Sequence, residues 1–114
     1  MNRYKIPGFD GGYGVSARDI IRVEALSNYS RIYFANGKIA TVAKVLHWFE
    51  DELPKEFFVR VHKSHLVNTG FVFAISGKRK KSLILQNGDS VFISRRKQTQ
   101  FLASYKNIFE TVYQ

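Results

Sequence analysis

The sequence predicts a mostly β domain built from small antiparallel sheets with two helices, and three observations point there. Short apolar runs alternate with polar residues through most of the chain. The pairs Asn36-Gly37 and Asn87-Gly88 suit tight hairpin turns. Helical spacing of apolar residues holds in only two places, ahead of Pro54 and after Ser94. About eight to ten short strands fit this pattern. At 114 residues the chain makes one domain with a modest core, and no second domain fits.

Taken in order, residues 1–18 are glycine-rich, with short strands expected at 4–6 and 13–16, and either flank the domain or belong to it. Residues 20–26 alternate, with Ile21, Val23 and Ala25 on one face and Arg22 and Glu24 on the other. The polar stretch Ser27-Asn28-Tyr29-Ser30 then turns the chain into a strand at 31–34, and Asn36-Gly37 reads as a two-residue turn into 38–41. Thr41 is expected to cap a helix whose apolar positions are Val42, Val45, Leu46, Phe49 and Leu53. Its acidic end, Glu50, Asp51 and Glu52, opposes the helix dipole, so these charges read as solvating or as facing away from a polyanion. Paired strands follow at 71–75 and 82–85, and Asn87-Gly88 returns the chain through 90–93. Ser94 is expected to cap a final amphipathic helix carrying Phe101, Leu102, Tyr105, Ile108, Phe109 and Val112.

Lys plus Arg outnumber Asp plus Glu 18 to 9, and the formal charge of +9 carries a self-repulsion that a neutral partner would not justify. A polyanion is therefore the expected partner. Nucleic acid is preferred to lipid, because no basic amphipathic helix with an exposed apolar face and no membrane-spanning apolar run is present. The lack of cysteine excludes disulfides, thiol catalysis and thiolate-bound zinc, the start MNRYKIPGF lacks a secretory apolar core, and the chain reads as cytoplasmic.

The densest chemistry lies in FFVRVHKSHLVN, Phe57 to Asn68. As an extended segment it points Phe58, Arg60, His62 and Ser64 one way and Val59, Val61, Lys63 and His65 the other, with a bend or bulge expected from Lys63 onward. A metal on His62 and His65 is disfavoured, since residues three apart on a strand face opposite sides and no third ligand is near. A hydrolase built on His62 is disfavoured by the scarcity of nearby acids. Lys63 is expected to project outward, whereas His62 is as well explained as a packed, hydrogen-bonded residue. Asn68 suits satisfying backbone groups at a turn, and Arg60 suits pairing with an acid.

Elsewhere, Arg95, Arg96 and Lys97 occupy a helix first turn, where the dipole disfavours cations by roughly 0.3 to 1 kcal/mol each. Free N–H groups plus cations make an anion site there, and a DNA phosphate fits it. The loop residues Asn28, Tyr29 and Arg31 suit base edges and phosphates, although turn chemistry alone explains Asn28 and packing alone explains Tyr29. The run Lys78 to Lys81 is either a solvated hairpin tip or a contact to backbone phosphate.

Three blocks, in order and spacing, resemble the LytTR family of bacterial DNA-binding domains: EALSNY at Glu24 to Tyr29, F-x-R-x-H-x-S-x-x-V-N at Phe58 to Asn68, and Ser94-Arg95-Arg96. The resemblance spans residues 19–108, with the family domain placed at 19–114. It implies an elongated β-β-β arrangement whose loops, rather than a recognition helix, enter the DNA major groove. It implies sequence-specific binding of double-stranded DNA in transcription control, on paired repeats and with bending, a homodimer on DNA being compatible with that. The residue chemistry and the matching positions together nominate Asn28, Tyr29, Arg31, His62, Lys63, Arg95, Arg96 and Lys97 as DNA contacts, with no catalytic role, cofactor or metal expected. Such domains commonly follow a phosphoacceptor domain in two-component response regulators. None is in this chain, which reads as a stand-alone regulator or as the output part of a longer protein. The alternatives are an RNA module, although no RNP-like aromatic pattern or GXXG loop occurs, a non-specific nucleic-acid binder, and a domain for an acidic protein partner.

Overall fold

The computed structural model describes residues 3–4, 6 and 14–103. In chain order the elements are β1 (Arg3–Tyr4), β2 (Val15–Ser16), a 3-10 turn at Ala17–Asp19, β3 (Ile20–Leu26), β4 (Tyr29–Phe34), β5 (Ile39–Val42), α1 (Leu46–Glu52), β6 (Phe58–His62), β7 (His65–Asn68), a second 3-10 turn at Thr69–Phe71, β8 (Val72–Ser76), β9 (Ser82–Leu85) and β10 (Ser90–Phe92). Residues 95–103 form the second helix, α2. All pairing is antiparallel, in a two-stranded sheet β1-β2, a five-stranded sheet β5-β4-β3-β7-β6 and a three-stranded sheet β10-β9-β8. The expected class therefore holds, and the body is elongated, 43 × 29 × 23 Å.

The five-stranded sheet is packed on both faces. One face carries Ile20, Val23, Ile32, Phe58 and Leu66 against Leu46, Phe49 and Leu53 of the α1 region and against Ile6 and Val15 near the N-terminus. The other carries Ile21, Val61 and Val67 against Leu83, Leu85, Val91, Ile93 and Phe101. Neighbouring Leu66 and Val67 are both fully buried because alternation sends them to opposite cores. Each such side chain contributes roughly 1.5 to 3 kcal/mol.

Two bulges reset the alternation expected from the sequence. The register of β3 slips between Ile20 and Arg22, so Ile20 joins the face of Val23 while Ile21 enters the second core, away from Val23 and Ala25. The register of β6 slips between Arg60 and His62, which turns His62 onto the same face as Val59 and Val61 instead of that of Phe58 and Arg60. A tight turn at Lys63 and Ser64 then sets His62 directly opposite His65, so the two imidazoles share one side, with ring centroids 5.3 Å apart. The reading that placed them on opposite faces assumed one uninterrupted strand.

Three further expectations are corrected. The Asn36-Gly37 hairpin has a three-residue loop, not two, and the Asn87-Gly88 hairpin has the same form: Phe34 and Leu85 donate their N–H groups to the carbonyls of Lys38 and Asp89. Gly37 (φ 90°) and Gly88 (φ 92°) take the left-handed position at the end of each loop. The β3–β4 turn is shorter than Ser27 to Ser30, since only Ser27 (φ 56°) and Asn28 lie outside the strands. Thr41 caps no helix. Thr41 and Val42 pair with Arg31 and Ser30 in β5, and α1 starts after Val45 without a side-chain cap. Val42 is buried in the same core as Leu46 and Phe49, so the periodic signal reported a shared core across a strand-to-helix junction. Helix α1 ends as expected at Leu53, before Pro54. Of the residues expected on the last helix, Phe101 is buried, whereas Tyr105, Ile108, Phe109 and Val112 lie outside the described residues.

Candidate nucleic-acid interface

Two hairpin tips meet at one end of the five-stranded sheet. Strand β3 pairs with β4 on one side and β7 on the other, so the Ser27-Asn28 tip and the Lys63-Ser64 tip lie side by side. The Ala25 N–H donates to the Ser64 carbonyl at 2.9 Å and pins the second tip to the first. Asn28 and Lys63 are exposed at these tips, and Tyr29 is 52% exposed, which removes the core reading for Tyr29.

The start of α2 is brought to the same end by the β6 bulge. Val61 stands outside the register with β7, and its carbonyl accepts the Ser94 N–H at 2.7 Å. The Ser94 carbonyl in turn accepts from Lys97 and Gln98, as the first turn of a helix requires. The N–H groups of Arg95 and Arg96 precede any intrahelical acceptor and face outward with the positive end of the dipole. Lys63, Arg96 and Lys97 line a groove with Arg60, His62 and Ser94. On the other side of His62 and Ser94, a second groove is lined by Arg79, Lys80, Arg95 and Gln98. The Gln98 side-chain amide donates to the Arg79 carbonyl at 3.3 Å, which fastens the 78–81 tip to α2. Arg79 and Lys80 thus join Arg95, a proximity that sequence spacing does not encode.

Between the tips, the open part of the sheet carries a polar row across all five strands: Thr41, Arg31, Glu24, His65 and His62, each paired with the next. Glu24 organises the cations around it. It accepts from the Tyr33 hydroxyl at 3.1 Å and lies 3.7 Å from an Arg22 guanidinium nitrogen. Arg31 donates to the same hydroxyl at 3.5 Å, and this bond raises the Arg31 pKa further. Arg31 is therefore a cation at any accessible pH. Arg22 lies 3.7 Å over the Tyr33 ring and donates to Asp89 at 3.0 Å, which ties the five-stranded sheet to the three-stranded one. His65 faces Glu24, His62 and Arg22, and burial, its largest influence, holds its pKa below the ordinary value.

The nominated residues Asn28, Tyr29, Arg31, His62, Lys63, Arg95, Arg96 and Lys97 all belong to the two tips, the sheet row joining them and the first turn of α2. Asn68 and Arg60, outside that set, and His62, within it, make the hydrogen bonds and the ion pair that side-chain chemistry leads one to expect. Asn68 donates to the Ile20 carbonyl at 3.0 Å and accepts from Gly70 at 2.9 Å, Arg60 pairs with Glu50 at 3.0 Å, and His62 Nδ1 accepts from Ser64 at 3.1 Å. His65 and Arg22 were not nominated. Their signal was an Arg-x-Glu alternation opposite an H-x-x-H hairpin, which is readable only once the β6 bulge is known. Among the described residues no cluster of three or more His, Cys, Asp or Glu could hold a metal ion, and no helix is long and apolar enough to cross a membrane.

A family model described as LytTr DNA-binding domain matches residues 11–106. Among solved structures, the chain is similar to the LytTr DNA-binding domain of a Bacillus cereus protein described as a methyl-accepting/DNA response regulator. The two share 25% identity with a TM-score of 0.71, over 82% of this chain and 90% of that one. No curated protein matches.

Proposed function

The chain belongs to the LytTr DNA-binding domain family, and from that premise we propose that it binds double-stranded DNA sequence-specifically in bacterial transcription regulation. Lys63, Arg95, Arg96 and Lys97 neutralise backbone phosphates, and the outward N–H groups of the α2 first turn add donors to the same anions. Asn28, Tyr29 and Arg31 offer an amide, a phenol and a guanidinium to base edges, with His62 beside them, so loops rather than a helix read the major groove. The DNA carries paired repeats, each taking one domain, and two copies of the chain occupy them together. The protein works as the output side of response-regulator signalling, with no chemistry of its own.

The observation that supports this reading best is the convergence of two hairpin tips and one helix start, from three separate parts of the sequence, on one strongly basic end. The measurement that tests it compares duplex affinity with melting temperature. Lys63→Ala and Arg95→Ala weaken binding about tenfold each while melting stays nearly unchanged. Val61→Ala melts earlier, by about 2 to 3 kcal/mol of lost stability, because it opens a cavity in the second core. Unaltered affinity in both cation variants overturns the contact assignment. Tighter binding of duplex RNA than of duplex DNA in competition overturns the choice of nucleic acid.

A further inference from the structure

At the basic end the Arg60 guanidinium turns its donors inward. It projects from β6 toward the α1 side, and Nη1 donates to Glu50 of α1 at 3.0 Å. Nε donates to the His62 carbonyl at 3.3 Å, and Nη2 donates to the Lys63 carbonyl. The two carbonyls flank Lys63, one belonging to the peptide that enters it and the other to the peptide that leaves it. Fixing both peptide planes fixes the direction of the Lys63 Cα–Cβ bond. A planar fork that reaches two acceptors on one edge and a carboxylate on the other is available to arginine and not to lysine. Both members of the pair are partly shielded, with side-chain exposures of 23% for Arg60 and 36% for Glu50. Helix α1, which carries Glu50, is itself seated on the sheet by Leu46 and Phe49, and the same Glu50 oxygen lies 3.5 Å from His47 Nδ1.

We propose that Arg60, anchored by Glu50, is a positioning residue for DNA binding that orients the Lys63-Ser64 tip so that Lys63 meets a phosphate, without touching DNA itself. This rests on the DNA-binding reading and adds to it a relay from α1 to the interface. The relay has a consequence opposite in sign to plain electrostatics. Glu50 lines the same groove as Lys63 and Arg96, so deleting its negative charge beside a polyanion would by charge alone tighten binding. With the relay, the same deletion loosens the tip and weakens binding.

The test measures affinity for a duplex site, with melting temperature alongside, for Glu50→Ala, Arg60→Lys, Lys63→Ala and the double variant Arg60→Lys with Lys63→Ala. Alanine suits the surface of α1, and lysine keeps the charge of Arg60, so both single variants fold. Glu50→Ala and Arg60→Lys are each expected to weaken binding about threefold to tenfold. In the Lys63→Ala background, Arg60→Lys is expected to have no further effect, since the side chain it positions is gone. Tighter binding by Glu50→Ala, or losses from Arg60→Lys and Lys63→Ala that multiply, would overturn the relay. Failure of the unaltered protein to bind duplex DNA would remove the functional reading instead. Full affinity in Lys63→Ala would remove the relay and leave DNA binding to the other cations.

Discussion

His65 shows how one residue records its surroundings. Its Nδ1 is buried without a hydrogen-bond partner, and burial disfavours the charged imidazolium. Glu24 opposite favours the charge, while His62 and Arg22 oppose it, and the net effect is a pKa below the ordinary 6.5. The folded state therefore binds this proton less readily than the unfolded chain does. Stability from this residue is complete above about pH 6.5 and falls as the pH drops from there toward the lowered folded value. Urea midpoints at about pH 5.5 and pH 7.5 check this, with the loss at the acid pH shrinking in His65→Gln. An acid-side loss as large in His65→Gln as in the unaltered protein would assign it to other groups. Single residues were only partly legible beforehand. The types of role played by Asn68 and Arg60 follow from their side-chain chemistry, whereas two of the partners, Ile20 and Glu50, are set by the fold. The orientation of His62 depends on a bulge at Val61, and nothing in the local pattern Arg-Val-His marks the extra residue.

Between elements, the strap from Arg22 to Asp89 joins the five-stranded sheet to the loop between β9 and β10. Arg22 is 8% exposed, so its charge is compensated by Asp89, by Glu24 and by the Tyr33 ring rather than by water. Asp89→Ala leaves that guanidinium with the longer Glu24 contact and is expected to cost about 1 to 3 kcal/mol in chemical denaturation. A loss below about 0.5 kcal/mol would mean that the strap contributes as little as a surface pair. Strands and turns were the most legible elements, because alternation and Asn-Gly pairs are local signals. The loop lengths were not, since Asn-Gly serves a two-residue turn and the end of a three-residue loop equally well. The start of α1 was misread for a related reason. Apolar spacing reports which residues share a core, and Val42 shares one with Leu46 while sitting on a strand.

Across the molecule, the charges of the described residues are unevenly placed. Lys63, Arg79, Lys80, Arg95, Arg96 and Lys97 line adjoining grooves around His62 and Ser94 at the end where the tips meet, with Glu50 the one acid lining them, while Asp51 and Glu52 are exposed on α1. Composition alone made a polyanion the expected partner, and the three motif blocks made the family legible. The convergence of those blocks was not legible, because it depends on the β3–β7 pairing and on the Val61 carbonyl reaching Ser94. The central claim is that this end reads a DNA sequence rather than merely attracting a polyanion. It is tested most directly by selecting bound duplexes from a random library near physiological salt and sequencing them. The expected result is a recurring motif, repeated at a spacing of about one helical turn so that two domains share one side of the duplex. Binding with no enriched motif would contradict the account and leave a charge-driven binder in its place.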